Sequence, residues 1–173
     1  NSPPPQQQFL LIHRPSHAQS LLAGVICLVT LVIIRWPAFQ FINSRFLGGT
    51  TGDSGLYVWL TRMFSGHLFS SAWFQTPALY PYGDSLAWSD NFLLPGLIAW
   101  CLVRIGVSIE LAYNLIILVS TLLSGFLTFK VAFNLSGHFY GSLSAGIFFL
   151  SSAYISGMLG HPQLQFTFFF PLA

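Results

Sequence analysis

Two short stretches carry the side chains that could do chemistry. Asp53 stands behind glycines in GGTTGDSGLYVW, residues 48–59, and His161 begins the run HPQLQ with Gln163 and Gln165. A carboxylate and an imidazole can exchange protons with a bound group, and amides can donate hydrogen bonds to it. Only 6% of the residues are charged, so the position of an acid in this chain is informative.

Simpler interpretations stand beside these chemical ones. Asp53 precedes an amphipathic pattern, and Asp is a strong N-cap residue, so it could cap the helix that follows. His161 also fits an interfacial polar residue at the exit of a helix. Asp84 in PYGDS fits a turn, and Asp90 fits a cap before Phe92.

The composition decides the class of protein. Hydrophobic residues make up 54% of the chain and aromatic residues 17%, whereas the charged share is far below the roughly 25% typical of a soluble domain. Because these few charged side chains cannot cover the surface of a globular protein, a large part of the surface must face lipid or another protein. The formal net charge of +2 is too small to indicate a nucleic-acid partner. The sequence predicts an integral membrane protein in contact with a lipid bilayer.

The apolar runs predict an all-α polytopic membrane protein with three to four transmembrane helices. A helix needs about 20 apolar residues to cross a hydrocarbon core of about 30 Å. Spans are expected at about 20–41, 111–133 and 140–158, with the start of a further span at about 164–173. The Pro/Gln-rich residues 1–19 are expected to be a disordered cytoplasmic tail, and 20–173 the transmembrane domain.

Residues 42–110 are expected to form an outer loop that contains two helices. Apolar residues at helical spacing predict an amphipathic helix at about 54–69 that lies on the membrane surface. The run at about 92–106 is interpreted as a second interfacial helix, because its uninterrupted apolar stretch is short for a span. A spanning helix remains the alternative for this run.

The interfacial interpretation of 92–106 sets the sides of the membrane. It places Asp53 and His161 together on one face. The opposite face, expected to be cytoplasmic, carries the basic and imidazole side chains of His13, Arg14, Lys130 and His138. Asp53 would then face a pocket outside the membrane, beside the polar HPQLQ loop.

Taken in order, these features resemble the amino-terminal part of the GT-C glycosyltransferases, polytopic enzymes that take sugars from polyprenyl-phosphate or polyprenyl-diphosphate carriers. The resemblance covers roughly residues 20–173 and rests on a first span followed by GDSGLYVW, YPYGDSLAW, AYNLIILVSTLLSGFLTFKVAFNLSG and GHPQLQ. It implies a sugar transferase of the bacterial inner membrane that acts on its outer face. It also implies that these residues belong to a longer protein and are inactive alone.

The resemblance assigns roles to particular residues. Asp53 matches the acid after the first span that acts as a base toward the acceptor or helps to hold a metal. Residues 161–165 offer neutral amides where oligosaccharyltransferases have paired acids, which favours transfer without a metal, although a divalent cation stays open as a cofactor. The residues expected to bind substrate are Trp59, Arg62, Asp84, His161, Gln163 and Gln165. Further candidates for contact with the phosphate, the isoprenoid or the sugar are Arg45, Arg104 and Trp73.

A different class of function stays open as the alternative. The chain could be a non-catalytic integral membrane subunit that packs into a larger membrane complex. Its helices carry small residues such as Gly141 and Ala145, which let helices approach closely in lipid. In that case a change at Asp53 is silent, and bulky side chains at Gly141 or Ala145 disrupt association.

Overall fold

In the computed structural model, the chain folds as helices packed around one long central helix. The structure describes residues 13–71, 74–75, 81 and 92–172. Seven α-helices lie in these ranges, and none of the residues within them belongs to a strand. The helices are α1 (His17–Ile34), α2 (Trp36–Phe39), α3 (Asp53–His67), α4 (Leu93–Arg104), α5 (Ile109–Ser136), α6 (Phe139–Leu150) and α7 (Ala153–Gly157), followed by a 3₁₀ segment, Pro162–Leu172.

Helix α1 begins inside the residues expected to form a disordered tail. Its N-cap is Ser16, whose hydroxyl accepts the Gln19 N–H at 3.2 Å while Gln19 Oε1 accepts the Ser16 N–H at 2.9 Å, which completes a capping box. The His13 N–H donates to the Asn134 carbonyl at 3.2 Å, so the chain before α1 lies against the end of α5. The tail prediction is therefore wrong from His13 onward, and residues 1–12 lie outside the described part of the chain.

Helix α5 is the centre of the fold, since it contacts α1, α3, α4, α6 and the 3₁₀ segment. It ends at Gly137, whose φ of 69° is the left-handed conformation that glycine adopts without strain. Helix α6 approaches α5 closely, because a Cβ added to Gly146 would lie 2.7 Å from the Gly125 carbonyl oxygen. Small residues do allow this approach, but Gly141 is not among them: a Cβ there would meet no atom within 4 Å.

Helices α3 and α4 confirm the two helices predicted at about 54–69 and 92–106. Tyr57, Leu60 and Phe64 of α3 are buried in one hydrophobic cluster that also contains residues of α5. The approach of α4 is close enough that a Cβ on Gly96 would overlap the Phe64 side chain. The apolar face of α3 is thus occupied by protein.

The single helix predicted at 140–158 is wrong, because α6 ends at Leu150 and α7 begins two residues after Ser151. The Ser151 hydroxyl donates back to the Ile147 carbonyl, and Ser152 caps α7 by accepting the Ile155 N–H at 3.3 Å. Serine side chains that bond to local backbone compete with the helical pattern in this way. The run expected to start a further span at 164–173 is a 3₁₀ segment with a kink at Phe166.

Among the described residues, two helices, α1 and α5, are long and apolar enough to cross a membrane, by length and composition alone. They overlap the spans predicted at about 20–41 and 111–133, but α1 runs from His17 to Ile34, and α5 extends beyond its predicted span at both ends, from Ile109 to Ser136. Helix α4 has 12 residues, so it is only about 18 Å long and shorter than a hydrocarbon core of about 30 Å. Its length therefore favours the interfacial interpretation over a span.

Candidate functional site

The candidate site lies where two loops meet in front of α3. One loop, residues 46–52, precedes α3, and the other, residues 158–161, follows α7. A Cβ added to Gly48 would overlap the backbone of Gly160, and a Cβ added to Gly160 would overlap the side chain of Ser54. The two glycines therefore let the loops touch through their backbones, which brings the first turn of α3 beside the second loop.

Two neighbouring residues of α5 hold these loops. Asn114 Oδ1 accepts the Leu47 N–H at 2.8 Å, and its Nδ2 donates to the carbonyls of Ile42 and Arg45, each at 2.7 Å. The Tyr113 hydroxyl donates to the carbonyl of the second loop's glycine at 3.2 Å. Both side chains are fully buried, so the loops are fixed from inside the fold.

The structure brings Asp53 and His161 together across this loop contact. Asp53 Oδ2 lies 3.9 Å from His161 Nε2. The helix N-cap is Gly52, and no side-chain hydrogen bond caps α3, so the capping interpretation of Asp53 is wrong. Asp53 instead occupies the first helical turn, where the helix dipole favours a negative charge. Its side chain is 83% exposed and open to a bound group.

The His161 ring is far less accessible than the carboxylate. Its side chain is 22% exposed, and its ring centre lies 4.9 Å from that of Tyr57. The Nδ1 atom is buried and makes no hydrogen bond to any described residue, while Nε2 faces Asp53. Asp53 is therefore the member of the pair that is open to solvent, while His161 is largely enclosed by protein.

The two glutamines of the HPQLQ loop have different surroundings. Gln165 is fully buried; its Nε2 donates to the carbonyls of Met158 and Ile155, at 2.6 and 3.4 Å, and its Oε1 accepts the Thr121 hydroxyl at 3.1 Å. Both of its N–H groups and its oxygen are used inside the protein, so no polar group of Gln165, which was expected to bind substrate, is free for that purpose in this structure. Gln163 Oε1 is buried without a hydrogen-bond partner among the described residues.

Arg62 and Trp59 lie on helix α3 with Asp53, but their contacts are with other residues. Arg62 lies nine residues further along, which in an α-helix is about 13.5 Å away and on the opposite face. Its guanidinium is 3.8 Å from Glu110 and lies over the Phe46 ring. Trp59 is half-buried against the hydrophobic cluster of α3. Arg62, which was expected to bind substrate, therefore lies away from the Asp53 carboxylate.

The other candidate residues fall into two groups. Arg45 and Arg104 lie over the aromatic rings of Phe41 and Trp100, at 4.4 and 5.4 Å. The candidates outside the described residues are Trp73, Asp84 and Asp90. Across the ranges that the structure describes, no three His, Cys, Asp or Glu side chains lie close enough to hold a metal ion.

Sequence reasoning missed the residues that build the site, above all Tyr113 and Asn114. An amide inside an apolar helix was a usable signal, since a buried polar group is costly unless it is hydrogen-bonded. The glycines at 48 and 160 gave no comparable signal, because their contact joins distant parts of the chain. Comparisons with protein-family profiles, curated proteins and solved structures find no match for this chain.

Proposed function

We propose that the chain is the amino-terminal part of a polytopic membrane glycosyltransferase of the GT-C type. It takes a sugar from a polyprenyl-phosphate carrier on the outer face of a bacterial inner membrane. The observation that carries the proposal is the exposed Asp53 carboxylate beside the partly buried His161, at 3.9 Å. Its position in GDSGLYVW, after the first long apolar helix, matches the acid that the resemblance places at the active site.

The proposed reaction uses Asp53 as a general base. The acceptor hydroxyl oxygen forms a bond to the anomeric carbon of the sugar, and its proton passes to the carboxylate. The bond from the anomeric carbon to the phosphate oxygen breaks, and the electron pair leaves with the polyprenyl phosphate. The His161 ring packs against Tyr57 and directs Nε2 toward the carboxylate, so its proposed role is to orient Asp53.

Membrane insertion is supported by how the polar groups are distributed along α5. Tyr113 lies beside the candidate site, and Asn134 lies beside His13. These two positions are 21 residues apart in the helix, about 31 Å, which matches a hydrocarbon core of about 30 Å. Along α1, Leu21 and Ile33 are 71% and 69% exposed, as expected of side chains that contact lipid.

Sided labelling of single cysteines checks this arrangement. In a chain without Cys27 and Cys101, we expect cysteines at positions 53 and 108 to react with a membrane-impermeant thiol reagent on intact cells. A cysteine at position 138 should react only after permeabilisation, because His138 is exposed at the other end of α5. Labelling of position 138 from outside would contradict the proposed topology.

The direct test of the activity uses membranes that carry the natural protein containing this sequence. The donors are a panel of polyprenyl-phosphate-linked hexoses labelled in the sugar. We expect at least one donor to lose its label from the lipid phase faster than in matched membranes without the protein. Equal rates in both membranes for every donor would count against a transferase.

A further inference from the structure

We propose that Tyr113 and Asn114 are positioning residues that set the distance between Asp53 and His161. This inference rests on the proposed function for the meaning of that distance. Both side chains are fully buried, so neither can touch a substrate. They contact the two loops that carry the pair and the turn that leads into the first loop.

Asn114 fixes the path of the chain into α3. Its oxygen and both of its N–H groups are engaged by three backbone groups, those of Ile42, Arg45 and Leu47, at 2.7 to 2.8 Å. An amide with donors and acceptor all used has a single orientation, and it satisfies polar groups that the turn after α2 would otherwise leave unpaired. The first loop is thereby held against α5, together with the helix start at Asp53.

Tyr113 contacts both loops at once. Its ring meets the Phe46 ring of the first loop edge-on, with centroids 5.3 Å apart. Its hydroxyl donates to the Gly160 carbonyl of the second loop, directly before His161. A single rigid side chain therefore contacts both loops.

The two anchors cannot move independently. Consecutive residues of a helix differ by about 1.5 Å in height, and the intrahelical hydrogen bonds fix their relative orientation. The loops they hold are pressed together at Gly48 and Gly160, where no side chain fits between the backbones. Loss of either anchor should let the loops separate and widen the 3.9 Å approach of Asp53 to His161, without any change to those two side chains.

Cross-linking across the site tests this inference in the full chain. Cysteines replace Asp53 and His161 in a chain carrying Cys27→Ala and Cys101→Ser, and a short bifunctional thiol reagent joins them. We expect Tyr113→Phe to slow cross-linking about three- to tenfold, the equivalent of one hydrogen bond. Asn114→Leu should slow it more, because three backbone groups lose their partner.

Controls separate positioning from general loosening. A second cysteine pair at His13 and Asn134 reports on the other end of α5, and its rate should be unchanged in both variants. Tyr140→Phe is the matched control for Tyr113→Phe, since Tyr140 is 82% exposed and its change should leave both rates unaffected. Slowing confined to the 53–161 pair supports the inference.

Several results would overturn it. Unchanged 53–161 rates in both variants, or equal slowing at both ends of α5, would show that Tyr113 and Asn114 do not position the pair. If the parent chain does not cross-link, positions 53 and 161 do not lie close together, and the inference fails. The cross-linking rates do not depend on sugar transfer. A failure to detect transfer would therefore contradict the proposed function and leave this inference standing.

Discussion

Asp53→Asn is expected to lower sugar transfer about 100-fold or more, the contribution typical of a general base. The amide has nearly the same shape as the carboxylate but cannot accept the acceptor's proton. The fold should persist, because the Asp53 side chain is 83% exposed and caps no backbone group. Removing the favourable interaction of this negative charge with the helix dipole lowers the free energy of unfolding by only about 0.3–1 kcal/mol. The measurement is the initial rate at which labelled sugar leaves its polyprenyl-phosphate donor in membranes.

Glu110→Gln is the matched control for this change. It removes one negative charge from another helix start, where Glu110 lies 3.8 Å from a largely exposed Arg62. Surface ion pairs of this kind contribute about 0–1 kcal/mol, so transfer should stay near the parent rate. Full activity of Asp53→Asn beside an active parent would assign the base to another residue. If the parent also lacks activity, the alternative of a non-catalytic membrane subunit gains support.

Gly48→Ala is expected to destabilise the fold much more than Gly49→Ala, although both glycines have nearly the same backbone conformation. Their φ angles are 83° and 84°, so alanine suffers a similar left-handed strain at either position, about 1–2 kcal/mol. At Gly49 an added Cβ meets nothing within 4 Å, whereas at Gly48 it overlaps the Gly160 backbone. Backbone cannot rotate away as a side chain can, so overpacking should add about 1–3 kcal/mol.

The comparison is made by unfolding the parent and both variants under the same detergent conditions. The difference in unfolding free energy between Gly48→Ala and Gly49→Ala isolates the loop contact from the backbone strain. The 53–161 cross-link should slow only in Gly48→Ala, because only that change forces the two loops apart. Equal stability of the two variants would mean that the loops do not touch at this point.

Local pattern was enough to predict most helices. Apolar spacing located α3 to within two residues, because an amphipathic helix is encoded by residues three or four apart, and a short uninterrupted apolar run located α4 equally closely. The central helix was predicted from its composition, with ends two or three residues short. The break after Leu150 was missed because Ser151 and Ser152 act through local backbone bonds, whose competition with the helix does not change the hydropathy of the run.

The site was predicted in part, for a clear physical reason. Asp53 and His161 could be placed on one face by counting the spans between them, and the structure puts them 3.9 Å apart. Their supports could not be found in this way. Asn114 bonds to groups about 70 residues earlier and Tyr113 to a carbonyl 47 residues later. Such contacts depend on the tertiary packing, and so does the burial that removes Gln165 from the site.

The unequal lengths of α1 and α5 have a consequence for the bilayer. With 18 and 28 residues, the helices are about 27 and 42 Å long. In the proposed membrane arrangement, a hydrocarbon core about 30 Å thick matches α1 nearly upright, while α5 has to tilt or extend beyond it. A thicker core would improve the match of α5 and worsen that of α1. If the chain acts on a membrane-borne donor as proposed, acyl-chain length would shift Asp53 relative to the phosphate layer and so change the access of that donor.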